Sequence, residues 1–174
     1  PSYWWLDNKS GTAIIESAEI IGVTKINPDG NRNPQSVDSA DLGTLLKIFN
    51  QPSGKIAKKI IIGIGGSATN DAGFGMAKQL QWSFHDKAGK EIKNWPQLIH
   101  LEKIIKPDPD KLPLKNLPSI VVAADVQNPL LGENGCTQIF GAQKGLLKED
   151  IPNSEACLLY TSDAADEGLG VDLG

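Results

Sequence analysis

Apolar residues along this chain cluster in two short β-branched runs, and between and around them the spacing changes to that of helices. Ile60, Ile61, Ile62 and Ile64, entered from Lys58 and Lys59, predict a buried strand bounded by glycine, and residues 119–124 (SIVVAA) predict a second buried strand ending at Asp125. Residues 12–16 predict a shorter strand, followed by an apolar segment through Ile20, Ile21 and Val23 and a turn at residues 27–31 (NPDGN). Leu42, Leu45, Leu46 and Phe49 recur at i, i+3, i+4 and i+7, the stripe of a helix that Asp38 or Ser39 can cap. Phe74, Met76, Ala77 and Leu80 predict another helix, and Trp82-Ser83-Phe84 with the turn at 86–90 and Glu91-Ile92 predicts a β-hairpin. Pro96, Pro107, Pro109, Pro113 and Pro118 make residues 93–118 a connection with short elements at most, where Trp95 and Leu98 can cover the core; residues 149–155 begin a further helix. The fold class is α/β, with central buried strands, flanking helices and a β-hairpin.

Chemistry concentrates at the end of the isoleucine strand. Gly63, Gly65 and Gly66 are followed by Ser67, Thr69, Asn70 and Asp71 before the next helix. Glycines let a backbone approach a ligand closely, and the free N–H groups of a helix's first turn favour an anion, so a phosphate or carboxylate suits this turn. Gly63-x-Gly65-x-x-Ala68 also fits a short dinucleotide fingerprint, which makes a nicotinamide-dependent oxidoreductase the alternative enzyme. Such a site needs a parallel strand ending in an acidic residue about 20 positions further on; Asp86 has that spacing but falls in the hairpin turn. The pattern GxxxxGK[ST] is absent from the chain.

Asp125, just past the carboxyl end of a buried strand, stands where open α/β sheets keep their ligands and can hold Mg²⁺ or orient a hydroxyl; a turn cap is its ordinary role. Lys144, in what reads as a glycine loop, can neutralise a phosphoryl oxygen, and Arg32 can hold a carboxylate or phosphate through paired hydrogen bonds. His85 and His100 are isolated and read as surface or packing residues.

Four stretches in fixed order carry a resemblance. Residues 63–80 (GIGGSATNDAGFGMAKQL) resemble the signature of the bacterial-type glycerate kinases; Asn31–Pro34 is similar to that family's RNP segment, Ala124–Leu130 to its DVxNPL segment, and Phe140–Gly145 to its FGPQKG segment with Ala142 in place of proline. The resemblance implies ATP-dependent phosphorylation of D-glycerate with Mg²⁺, leaning to the 2-hydroxyl, in a cleft between two α/β domains of which this chain supplies most of one. It implies Asp71 as the carboxylate that takes the hydroxyl proton, with Asp125 as the alternative or as the metal ligand, and Lys144 as the balancing charge. Arg32, Asn33, Gly65, Gly66, Ser67, Thr69, Asn70, Asn128 and Gln143 are the expected substrate-binding positions. Glu16 and Ser17 lie near the cleft in the resemblance; an exposed strand end suits Ser17 better, and for Glu16 the two readings weigh equally.

The resemblance covers about residues 12–156, and the family's N-terminal lysine-containing segment is absent, so residues 1–156 are expected to be a partial domain and, in isolation, an inactive structural piece. Residues 157–174 (CLLYTSDAADEGLGVDLG) resemble the translation of a sequencing-library adapter and are expected to be a non-native tail. That matters for charge. Asp163, Asp166, Glu167 and Asp172 account for the whole net charge of −4 given by 17 basic against 21 acidic residues, so residues 1–156 are balanced and give no electrostatic reason to expect nucleic acid or an anionic membrane as partner. Cys136 is the one cysteine ahead of that tail, which fits a reducing cytoplasm. No apolar run approaches a membrane span, and no pattern speaks to oligomeric state.

Overall fold

The structure, a computed structural model, describes residues 4–26, 33–50, 56–108, 110 and 116–169, and the side chains among these except 165–169. Arg32 and the turn at 27–31 lie outside the described residues.

The main sheet runs in the order β1 (Trp4–Asp7), β2 (Thr12–Glu16), β3 (Lys59–Gly63), β6 (Ser119–Ala123). β1 pairs antiparallel with β2, and β2, β3 and β6 are parallel. The fold is therefore α/β, as the sequence predicts, and its three adjacent strands β2, β3 and β6 are parallel. Alternation along β3 sends Ile60 and Ile62 to one face, where they meet Ala13 and Ile15 of β2 and Leu42, Leu46 and Phe49 of helix α3 (Ala40–Phe49). Trp4 of β1 packs edge-on against Phe49 at 4.9 Å between ring centroids. Parallel strands need a crossover: the short helices α1 (Ala18–Ile21) and α2 (Val23–Ile26) with α3 make the one from β2 to β3.

The crossover from β3 to β6 contains helix α4 (Phe74–Gln79) and a second, two-stranded sheet of β4 (Ser83–Asp86) and β5 (Leu101–Ile105). The hairpin turn predicted at 86–90 forms, with His85 bridged to Glu91, but the main partner of β4 is β5 inside the proline-rich stretch. Trp95 and Leu98 are buried there with Phe74, Phe84, Ile92 and Leu101 in a second core, and the Trp95 indole N–H reaches the carbonyls of Pro34 and Val37, both at 3.0 Å. Helix α5 (Cys136–Lys144) and helix α6 (Ile151–Leu169) complete the chain; Cys157 and Leu158 of α6 are buried, Cys157 within the second core.

Two expectations change. β6 reads as buried because it is apolar on both faces, yet it is the outermost strand and every one of its residues is exposed, Val122 to 58%. Residues 140–144 are the last turns of α5, not a loop: Gly145, left-handed at φ 96°, ends the helix by donating its N–H to the carbonyl of Ala142. Alanine at 142 suits that helix, where a proline would cost a hydrogen bond.

Candidate active site

Register brings Glu16, Gly63 and Ala123 side by side, so the chain leaves all three parallel strands at one edge of the sheet. The glycine turn that follows β3 is held from the β2 side. Ser17 donates its N–H to Gly63 O at 2.8 Å and its hydroxyl to Gly65 O at 3.3 Å; Ala68 N–H bonds Ile21 O at 2.7 Å and Val23 N–H bonds Gly66 O at 3.4 Å. Ser17 is accordingly buried, not the solvated strand end expected, while Glu16 is exposed. Gly66 has φ +71°, a conformation that a side chain would strain.

On its other side the turn opens into a cavity of about 260 Å³ lined by Ile64, Gly65, Gly66, Ser67, Asp125, Val126, Phe140, Gln143 and Lys144. Three separate segments thus meet: the turn after β3, the residue past β6, and the C-terminal end of α5. Asp125 is exposed there, and Lys144 is half-buried, its ammonium donating to Thr69 O at 2.7 Å. Burial pushes the Lys144 pKa below the usual 10.5, against the opposing charges of Cys136 and Asp71.

The remaining predicted residues stand behind the cavity wall or apart from it. Thr69 donates its hydroxyl to Val37 O at 2.9 Å, and Asn70 donates its side-chain amide to Thr137 Oγ1 at 2.8 Å; both residues are buried. Asn33 accepts the Gln35 N–H, and Asn128 donates to Asn134 O within its own loop. Asp71 is only 3% exposed, and both of its oxygens are engaged: Oδ2 by the Ser39 N–H and hydroxyl and the Gly75 N–H, Oδ1 by the Gly73 N–H. The anion at the start of α4 is therefore the chain's own carboxylate, where a ligand's phosphate or carboxylate was expected.

The dinucleotide geometry does not form. Residues 64–73 separate β3 from α4, where the fingerprint needs a tight turn directly into a helix, and Asp86 ends an antiparallel strand of the other sheet. Among the described residues no three His, Cys, Asp or Glu side chains are placed to hold a metal ion, and no helix is long and apolar enough to cross a membrane. Thr137 escaped the sequence reading because its stripe on α5 carries no apolar period; Gly145 was the signal that a helix ends there.

The family model described as "Glycerate kinase family" matches residues 1–174. The chain is 36% identical to a glycerate kinase of Haemophilus influenzae over 170 residues, 97% of this chain and 43% of that protein, and 36% identical to a glycerate 2-kinase of Escherichia coli K12 over 170 residues, 98% of this chain and 43% of that protein. Among solved structures it resembles a candidate glycerate kinase 2 from Salmonella typhimurium LT2 with a TM-score of 0.81 and 31% identity, over 98% of this chain and 45% of that one. The chain spans under half the length of these relatives.

Proposed function

Because the chain belongs to the glycerate kinase family, we propose that it supplies one polar wall of the cleft in which a longer polypeptide transfers the ATP γ-phosphoryl group to D-glycerate, at the 2-hydroxyl that the name of the Escherichia coli relative gives. One observation carries this reading: Asp125 and Lys144, opposite charges from distant segments, line the same small cavity floored by Gly65, Gly66 and Ser67. A cavity of about 260 Å³ lies below the roughly 300–1,000 Å³ of sites for larger ligands, so it suits a small hydroxy acid or a phosphoryl group, with the rest of a nucleotide outside it.

Phosphoryl transfer asks for alignment and charge neutralisation more than covalent help from the protein. Lys144, while keeping one hydrogen on Thr69 O, has two left for a phosphoryl or carboxylate oxygen. Gly65, Gly66 and Ser67 line the turn proposed to receive that oxygen, and Gln143 borders it. As the substrate hydroxyl oxygen bonds to the γ-phosphorus and the bond to the bridging oxygen of ADP breaks, the hydroxyl proton goes to a carboxylate. Asp125 faces the cavity; Asp71, favoured on sequence grounds, has its oxygens committed to four donors, which supports Asp125 for this role. In the alternative role Asp125 would hold a magnesium ion in place of taking the proton, since a hard cation is content with one carboxylate, phosphate oxygens and waters; bound there, it would neutralise developing phosphate charge. Arg32, Asn33 and Asn128 are proposed as further substrate-binding residues, in a cytoplasmic protein.

The test is an ATP-consumption assay with D-glycerate and Mg²⁺ on the product of the complete reading frame that contains this chain. Turnover that falls at least a hundredfold in Asp125→Asn is expected. An intact product without glycerate-dependent turnover would remove the kinase reading. The 174 residues alone are expected to give none.

A further inference from the structure

Two hydrogen bonds tie helix α5 to consecutive residues at the exit of the glycine turn. Thr137 and Lys144 are seven residues apart on α5, at i and i+7, with Gly141 at i+4, so they share one face of the helix. Near the N-terminal end of that face, Thr137 Oγ1 accepts from Asn70 at 2.8 Å. Near the C-terminal end, Lys144 donates to Thr69 O at 2.7 Å. Thr137 is fully buried, at 0% exposure, and Asn70 is 6% exposed, so their bond is shielded from water and a lost partner would leave a buried polar group unpaired.

We propose that Thr137, through its buried bond to Asn70, is the positioning residue that sets the separation of the cavity's two polar walls, the Gly65–Ser67 turn and the Gln143–Lys144 end of α5. The proposal rests on the reading of this cavity as the phosphoryl-transfer site. Its logic is a division of labour between the two bonds. A ligand oxygen that takes the other two hydrogens of the Lys144 ammonium draws it away from Thr69 O, so the C-terminal anchor loosens when the site is used. The Thr137–Asn70 bond lies behind the wall, touches no ligand, and keeps α5 in place during that exchange. Asn70, expected to bind substrate, acts through α5 instead.

The experiment uses the full-length polypeptide carrying this chain, as wild type, Thr137→Val, which keeps the shape and removes the hydroxyl, and Thr137→Ser, which keeps the hydroxyl. Lys144 is labelled with acetic anhydride across a pH series and quantified by mass spectrometry, so its titration is read without reference to any substrate. In Thr137→Val the half-labelling pH of Lys144 rises toward that of ordinary lysines as α5 drifts outward, facing the same Asp71, Cys136 and Asp125; in Thr137→Ser it stays at the wild-type value. kcat/KM for D-glycerate falls about tenfold in the valine variant, mainly through kcat, and returns in the serine variant. A folded valine variant with the wild-type Lys144 profile overturns the proposal, as does a serine variant shifted as far as the valine one. Where the valine variant does not fold, Thr137→Ala takes its place with the same two outcomes. A Lys144 profile that responds as expected in a protein without glycerate turnover keeps Thr137 in this role and removes the glycerate reading alone.

Discussion

Asp71 and Ser39 meet twice: the Ser39 backbone N–H and the Ser39 hydroxyl both donate to Asp71 Oδ2 at 2.8 Å. Ser39 precedes α3 and Asp71 precedes α4, so one carboxylate ties together the starts of two helices, and it also accepts the Gly75 N–H at 2.9 Å. The Ser39 hydroxyl in turn accepts the Met76 N–H at 2.9 Å. Ser39 thus gives its side chain to α4, while Asp38 Oδ1 takes the Ala40 N–H at the start of α3.

From this network Asp71→Asn is expected to destabilise the protein by roughly 3 kcal/mol, because one face of the amide presents N–H to donors that need an acceptor. Urea denaturation of the variant measures it. The loss of stability separates this role from proton acceptance: an Asn variant with wild-type stability and a hundredfold lower kcat would return Asp71 to the position of base.

The same pair shows what the sequence carries and what it hides. The helix over 40–49 is legible because its apolar stripe repeats at 3.6 residues, and β2 and β3 are legible because β-branched runs end in glycine or polar residues. That Asp71 would turn back onto Ser39 is not legible, since both are ordinary capping residues and a contact over 32 positions has no local signal. Gly65, Gly66, Ser67, Asp125, Gln143 and Lys144 were all named from sequence and do line one cavity. Thr69, Asn70 and Asp71 were named with them because they are polar and adjacent, and only the fold shows their side chains turned inward to Val37, Thr137 and Ser39. β1 carries no clear alternation and went unseen. For residues 157–174 the proposal of a foreign tail stands beside a helix that runs through Cys157 and Leu158 and a family match that extends to 174. Reading the source DNA across the Ala156 codon decides it: an uninterrupted native frame removes the adapter reading.

Helices α3 and α4 approach backbone to backbone through a glycine on each. A Cβ on Gly43 would lie 2.7 Å from Met76 O and from Gln79 Cβ, and one on Gly75 would lie 2.6 Å from the Ala40 nitrogen. Gly43→Ala is therefore expected to push the helices apart and cost about 2 kcal/mol, within the range for overpacked cores. Gly63 makes the contrasting case. Its Cβ would fall 2.7 Å from Glu16 Oε2, the tip of a flexible, exposed side chain that can swing aside. Gly63→Ala should change stability by less than about 1 kcal/mol. Thermal melts of the two variants side by side test the difference, and equal losses would contradict it.

The outer strand β6 pairs with β3 on one side only and presents Ile120, Val121 and Val122 at 40%, 40% and 58% exposure. An open apolar edge of this kind is a template for pairing with another chain. The isolated 174 residues are expected to self-associate, and Val122→Lys to shift them toward monomer. Light scattering over a concentration series reads this directly; a wild-type chain that stays monomeric at high concentration would show that the edge is protected in another way.

Lys144 gives a prediction whose sign can be fixed in advance. Burial lowers its folded pKa below the ordinary 10.5, so folding favours the neutral amine and the charged form is a cost to the folded state. Below the folded pKa, folded and unfolded chains are both protonated and the cost is fully present. Between the folded pKa and 10.5 the unfolded chain holds more protons than the folded one, so stability rises with pH across that window, and above 10.5 the difference is gone. Lys144→Met, which keeps the length and removes the charge, is expected to be more stable than wild type at pH 7, with the gap narrowing as pH approaches 10.5, and to lose turnover. Denaturation midpoints of both proteins from pH 7 to 11 check this. A gap that stays constant across the series would mean that the ammonium is not held at a cost, and a methionine variant that keeps its turnover would take Lys144 out of the site.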